Sequence, residues 1–210
     1  MKKVVFLIGG VLVLSICAVV LLYKSVTMPQ PTEEVHSEIE LSKPVLGPYS
    51  GGKFYIRCEN GVYTLVPAVT YRAPVLVVSK KKHYHTDVLA QLVPVDLCVI
   101  WGILAEPEYL KDLRFTQRGR YCQLVYKPGS PVEPYVGLHE YTHIHVIPAT
   151  ENILKALNSI KEGQKLVLEG FLVDIYLNDK MIAQTSVEST DDSCEILYVT
   201  KIRIGNNVYE

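Results

Sequence analysis
Phe54-Tyr55-Ile56-Arg57-Cys58-Glu59 and Val62-Tyr63-Thr64-Leu65-Val66 are two alternating runs joined by Asn60-Gly61. Asn-Gly between such runs is the preferred two-residue hairpin turn, because both turn positions need positive φ. That turn pairs Glu59 with Val62, Cys58 with Tyr63 and Ile56 with Leu65. Phe54, Ile56, Cys58, Tyr63 and Leu65 then share the core face, and Cys58 points inward. The reading is antiparallel from the outset.

Toward the C-terminus, residues 73–79 form a further strand that runs into a basic loop, Lys80-Lys81-Lys82-His83. Thr86-Asp87 caps a short helix through Leu92. After Pro94, residues 95–104 are a buried helix or a core strand, which periodicity cannot separate. Residues 106–113 have a helical pattern, 121–126 alternate as a strand, and Pro128, Pro131 and Pro134 mark a loop. Residues 141–147 are extended. Thr150 caps a helix over 151–161, with Ile153, Leu154, Leu157 and Ile160 on one face and Gly163 at its end. The tail, 165–177, 181–187 and 195–204, reads as a β-meander in which Gly170 marks a bulge or bend. The fold class is α+β: mainly antiparallel β, a small barrel-like or meander core over residues 53–210, with short helices packed on it.

Toward the N-terminus, residues 24–52 hold Pro29, Pro31, Pro44 and Pro48 and an acidic stretch, the composition of a stiff spacer. Residues 4–23 contain no charge, and at about 1.5 Å per residue they span roughly 30 Å, the thickness of a bilayer's hydrocarbon core. The run is too long for a signal-peptide core and lacks a small-x-small cleavage site. It also explains why the apolar fraction reaches 49%. Lys2 and Lys3 precede it and Lys24 alone follows, so residues 1–3 are a cytoplasmic tip. The expectation is a single-pass cell-membrane protein whose main domain is extracytoplasmic. The 21 basic residues less Lys2, Lys3 and Lys24 leave 18 against 22 acidic ones, a net of −4. Such a domain has no global attraction to nucleic acid. Its partners are the membrane, through the anchor, and an envelope protein or glycan.

Cys58, Cys98, Cys122 and Cys194 lie beyond the anchor, where an oxidising compartment permits disulfides. One disulfide is expected, and Cys98, inside an apolar run, reads as a small buried hydrophobe. Its partners stay open, since four cysteines allow three pairings.

His139-Glu140-Tyr141-Thr142-His143 matches H-E-x-x-H, which binds zinc only on a helix. Here Ile144-His145-Val146-Ile147-Pro148 follows, which favours extended backbone. His139, His143 and His145 then share one face of a strand and Glu140 the other, so no metal and no cofactor are expected. Asp96 lies between Pro94 and an apolar run, as a helix N-cap or as a carboxyl of raised pKa able to act as a general acid; the cap is preferred. Lys81, with its basic neighbours and His85, is placed to grip an anion, and Trp101 with some of the 14 tyrosines to line a carbohydrate or peptide groove.

Two resemblances bear on the same residues. Cys194 and Arg203 in a β-rich domain behind an anchor invite comparison with sortases, membrane-anchored cysteine transpeptidases that use a His, a Cys ending one strand and an Arg on the next. His143 or His145 would be the base. The Thr-Leu-x-Thr-Cys pattern and the Gly-His dipeptide are missing, and Asp191-Asp192 beside the thiol raise its pKa. Pro94-Val95-Asp96-Leu97 running to Trp101-Gly102, His145-Val146-Ile147-Pro148-Ala149, Gly170-Phe171-Leu172-Val173, and Cys194-Glu195 running to Tyr198-Val199 resemble landmarks of a group of membrane-anchored bacterial proteins with no assigned activity. That resemblance singles out Asp96, Trp101, His145 and Cys194. The leading expectation is a non-enzymatic binding or assembly module at the cell envelope. The alternative is a cysteine or metal-dependent hydrolase or transferase built on Cys194, His145 and Asp96, with Trp101, Lys81 and His143 as ligand contacts.

Overall fold
A computed structural model describes residues 27–84, 87–188 and 194–210. The anchor and cytoplasmic tip read from residues 1–23 lie outside them. Among the described residues no helix is long and apolar enough to cross a membrane.

Alternating sequence becomes strand almost everywhere. In chain order the strands are β1 (Glu33–Glu34), β2 (Val45–Pro48), β3 (Phe54–Cys58), β4 (Gly61–Lys82), β5 (Val95–Ile100), β6 (Leu113–Arg118), β7 (Tyr121–Tyr126), β8 (Tyr141–Pro148), β9 (Lys165–Leu177), β10 (Lys180–Ala183), β11 (Cys194–Ile204) and β12 (Asn207–Tyr209). Among the described elements, the helical ones are a 3₁₀ turn, Gly102–Ala105, and the segments Pro107–Leu110, Glu133–Val136 and Glu151–Ser159. The last starts where Thr150 accepts a hydrogen bond from the Ile153 amide at 3.1 Å, as its Ser/Thr cap signal implies. The expected α+β, mainly antiparallel class is what the chain adopts.

Five strands close on themselves. β4 pairs with β5, β5 with β8, β11 with β9 and β9 with β4, all antiparallel, while β8 and β11 run parallel. β4, β5 and β8 are consecutive neighbours and β9 returns beside β4, which is Greek-key order. β11 fills the remaining gap. The result is a five-stranded Greek-key barrel of the OB type, with the helix Glu151–Ser159 between its third and fourth strands. β6 and β7 form a separate hairpin inserted between β5 and β8.

Period two then sorts the side chains. Val95, Leu97 and Val99 of β5, Ile144 and Val146 of β8 and Leu197 and Val199 of β11 fill the barrel together with Ile153, Ala156 and Leu157. Their sequence neighbours Asp96, Cys98, His143, His145, Cys194 and Ile196 point to the outside of the same wall. β4 serves two cores because it bulges between Pro67 and Val69. Tyr63 and Leu65 pack outside the barrel with Leu92, Val93 and Ile196, whereas Tyr71, Ala73 and Val75 pack inside.

Several local expectations are corrected. Asn60 does not form the turn with Gly61; Cys58 faces Gly61 and Ile56 faces Tyr63. The Asn60 amide donates instead to the Tyr63 hydroxyl at 2.7 Å, and Gly61 takes φ +140°, open only to glycine. The register moves by two, so the buried face is unchanged. Lys80, Lys81 and Lys82 end strand β4 rather than forming a loop; of the two readings left open for residues 95–104, strand holds over 95–100. Residues 88–92 make turns and no helix, although the Asp87 carboxylate accepts from the Leu89 amide. The tail is not a meander, since β11 pairs with β9 and β8 and not with β10. Nor is 33–48 a free spacer: β1 pairs with β12, β2 pairs with β4, and Ile39 is buried.

Candidate thiol and histidine site
Three adjacent strands each supply outward side chains at one level of the barrel. Register sets Asp96 of β5 opposite His145 of β8, and Cys98 opposite His143. On the other side of β8, Cys194 of β11 is level with His143, and Ile196 with His145. The two imidazoles are therefore flanked by a carboxylate and a thiol through backbone pairing alone.

Asp96 is the hub. Its side chain is wholly buried, with Oδ1 2.9 Å from His145 Nδ1 and 3.2 Å from the Arg120 guanidinium. Oδ2 lies 2.6 Å from His83 Nε2 and 3.7 Å from His143 Nε2. Burial by itself raises the carboxyl's pKa. The His145 hydrogen bond and the charges of His145, His143 and Arg120 outweigh it, and the net shift is downward. The expected N-cap role is thus wrong: the apolar run after Pro94 is a central strand, and the carboxylate neutralises the bases gathered on its outer face.

Arg120 sits in the β6–β7 turn and reaches down to this hub. Its Nε and Nη2 form a two-point contact with Asp87, Nη2 also donates to the Val93 carbonyl, and Nη1 reaches Asp96. A disulfide between Cys98 and Cys122 ties the same hairpin to β5, so Cys98 is not a plain buried thiol as its apolar surroundings suggested. Lys81 Nζ donates to the Gly119 carbonyl at the hairpin tip. That spends Lys81 on structure, and Lys80 likewise donates to the carbonyls of Leu157, Asn158 and Ile160.

Cys194 Sγ is 3.6 Å from His143 Nδ1. One donor atom from each of His143, His145 and Cys194 lies within 4.8 Å of the others. Burial and the neighbouring Glu195 and Asp96 carboxylates push the thiol up to about 11. Burial and the His145 charge push His143 down to about 4, against the pull of Asp96. Cys194 and His143 therefore rest as neutral thiol and neutral imidazole, not as an ion pair. Beside them opens a cavity of about 280 Å³, lined by Cys194, His145, Arg120 and Tyr121 together with apolar Leu89, Val93 and Ile175.

Asp96, His143, His145 and Cys194, each singled out in the sequence, converge here. Trp101 does not: it is 2% exposed and packs in the barrel, not in a groove. His139 precedes β8 with φ +51° and is off the strand expected to carry it. Glu140 accepts from the Ile103 and Leu104 amides and packs over Gly102, whose φ is +58°, so the H-E-x-x-H match dissolves into a turn cap. Arg203 lies on the strand of Cys194, nine residues on, and donates to Gly205, Ser37 and Val35. The arginine of the sortase comparison is accordingly far from the thiol. Arg120 went unforeseen because it reaches the hub from a turn, where no periodicity reports direction, whereas His83, read in the sequence as part of an anion-gripping run, meets the Asp96 carboxylate.

Comparison of the chain with protein families, with characterised proteins and with solved structures gives no match.

Proposed function
We propose that this chain is a membrane-anchored extracytoplasmic hydrolase or transferase that uses a thiol, with Cys194 as nucleophile, His145 as base and Asp96 as the group that orients the base. The observation that carries this reading is the 2.9 Å contact between Asp96 Oδ1 and His145 Nδ1. It fixes the ring's proton on Nδ1 and leaves Nε2 to receive the thiol proton, with both residues lining the same cavity. In the reaction Cys194 sulfur bonds to a carbonyl carbon as its proton passes to His145. The leaving group departs with that proton, and water or an acceptor amine cleaves the thioester. The disulfide supports an oxidising compartment. The orientation of the anchor rests on the lysines flanking residues 4–23.

The test is a p-nitrophenyl acyl ester series with the reduced, chelator-treated full chain. A nitrophenol burst and an acyl adduct on Cys194, both lost in Cys194→Ser and His145→Gln, are expected. A folded protein without burst or adduct across short and medium acyl chains would rule the chemistry out. A second reading, a binding module for an envelope glycan or protein, is favoured by one observation. Tyr49, Phe54, Phe171 and Tyr198 form a contiguous ring cluster on the outer face, with Phe54 and Tyr198 stacked at 4.9 Å. Glycan binding that survives Cys194→Ser but not Phe171→Ala would establish that reading.

A further inference from the structure
We infer that His143, His145 and Cys194 form a binding site for a soft divalent metal ion of the zinc class, with the fourth coordination position open to the cavity. The inference does not rest on the nucleophile reading; it concerns a second state of the same side chains.

The spacing of the donors fits a tetrahedral zinc ion. Zinc binds sulfur at about 2.3 Å and imidazole nitrogen at about 2.0–2.1 Å with tetrahedral angles, which places the S and N donors roughly 3.6 Å apart. Cys194 Sγ and His143 Nδ1 are 3.6 Å apart. The third donor, on His145, falls within the same 4.8 Å group.

The groups around the donors support the same ion. A ligating imidazole commonly donates its other N–H to a carboxylate. Asp96 offers one oxygen to each ring: Oδ1 at 2.9 Å to His145 Nδ1, and Oδ2 at 3.7 Å to His143 Nε2. His143 is 3% exposed, and its Nε2 is buried without a hydrogen-bond partner. An ion on Nδ1 would fix the proton on that orphaned Nε2, aimed at Asp96. One carboxylate would then set both tautomers.

Donor chemistry narrows the choice of ion. One sulfur and two imidazoles select zinc, or a softer ion, over magnesium or calcium, which want oxygen. Three protein ligands plus an open position is the pattern of sites that bind water or substrate. The buried thiol becomes a thiolate once the ion is present, and Asp96 and that thiolate balance the added charge. In that state Cys194 is a ligand and is withdrawn from attack.

The test uses the full chain in detergent with its Cys98–Cys122 disulfide intact, stripped with a chelator and titrated with cobalt(II), then zinc. One equivalent of cobalt should give a thiolate-to-metal charge-transfer band and a tetrahedral visible band, both removed by zinc. Cys194→Ser should abolish the first band, while Cys58→Ser, at the other free cysteine among the described residues, should leave it intact. Asp96→Asn should weaken zinc binding about 10–100-fold, and His143→Asn, which removes a direct ligand, by more. Far-ultraviolet circular dichroism identifies variants that have not folded, and His145→Asn stands in for any of these. The proposal is overturned by absence of the band at saturating cobalt, or by a band that persists in folded Cys194→Ser. Because the acyl burst is measured on stripped protein, either result can fail without the other.

Discussion

Cys194 and His143 are direct partners in the parallel pairing of β11 with β8, and the chain between them makes one helix and two strands before it returns. Neither residue approaches the other through local sequence. Their contact exists only when β11 enters the gap between β8 and β9, so the site reports barrel closure. Asp96 is the residue on which the arrangement depends.

Replacing Asp96 by Asn keeps its shape and removes its charge, leaving His83, His145 and Arg120 facing a neutral amide in a buried setting. Loss of one partner from a buried charged network costs about 3–5 kcal/mol. Urea unfolding of Asp96→Asn should show a loss of that order. A loss below about 1 kcal/mol would mean that the carboxylate is not the hub.

The pH dependence of stability follows from His143. Its folded-state pKa of about 4 lies below its ordinary 6.5, because burial and the His145 charge favour the neutral ring. A base whose folded pKa is lowered contributes full stability above its unfolded pKa and loses it as pH falls toward the folded one. The window is therefore pH 6.5 down to 4. The full difference is worth up to about 3 kcal/mol. Unfolding of the metal-free protein across that range should weaken accordingly, and His143→Asn should flatten the curve relative to the parent. Parallel curves would show that His143 titrates normally in the fold.

The disulfide offers a third measurement. Cys98 and Cys122 are separated by 24 residues, and closing a loop of that length stabilises the fold by about 3 kcal/mol on the chain-entropy account. Cys122→Ala should lower stability by that order and loosen the hairpin that carries Arg120. Faster hydrogen exchange at β6 and β7, with β4 and β9 unchanged, is the expected signature. Uniform acceleration through the barrel would place the disulfide's role in the core instead.

How much of this was legible in the sequence differs by level. Alternation placed β7, β8, β9 and β11 nearly to the residue, and Thr150 marked its helix, because those signals are local. The face assignment of His143 and His145 followed from period two and held. A barrel-like core was one of two readings of the sequence, but the pairing that closes it was not legible, since parallel pairing of β8 with β11 is a long-range event with no motif. Asp96 was misread for the same reason. A carboxylate after Pro94 looks like a cap until β8 brings His145 beside it and two loops deliver His83 and Arg120. Residues 33–48 looked like a spacer because prolines dominate, yet edge strands tolerate proline and the segment pairs with β12 and β4.

Gly170 gives the sharpest structural test. It lies in β9 opposite the point where β11 bulges, with Val199 facing Gly170 and Lys201 facing Glu169. A Cβ built at Gly170 would stand 1.9 Å from the Tyr198 carbonyl oxygen and 3.1 Å from the Val199 Cα. Both are backbone atoms, so no side-chain rotation relieves the clash; β9 and β11 would have to part. These two strands close the barrel, and β11 carries Cys194 at its start. Glycine here therefore permits a close backbone approach that no other residue allows. Gly170→Ala should destabilise the fold by several kcal/mol, at or beyond the upper end of single substitutions, and most of the protein should be recovered unfolded. Gly129→Ala is the matched control for handling, since a Cβ there meets nothing within 4 Å, although its φ of +77° carries a small strain. Near-native stability of Gly170→Ala, read by urea unfolding, would show that β9 and β11 do not pack this closely and that the barrel closes by another route.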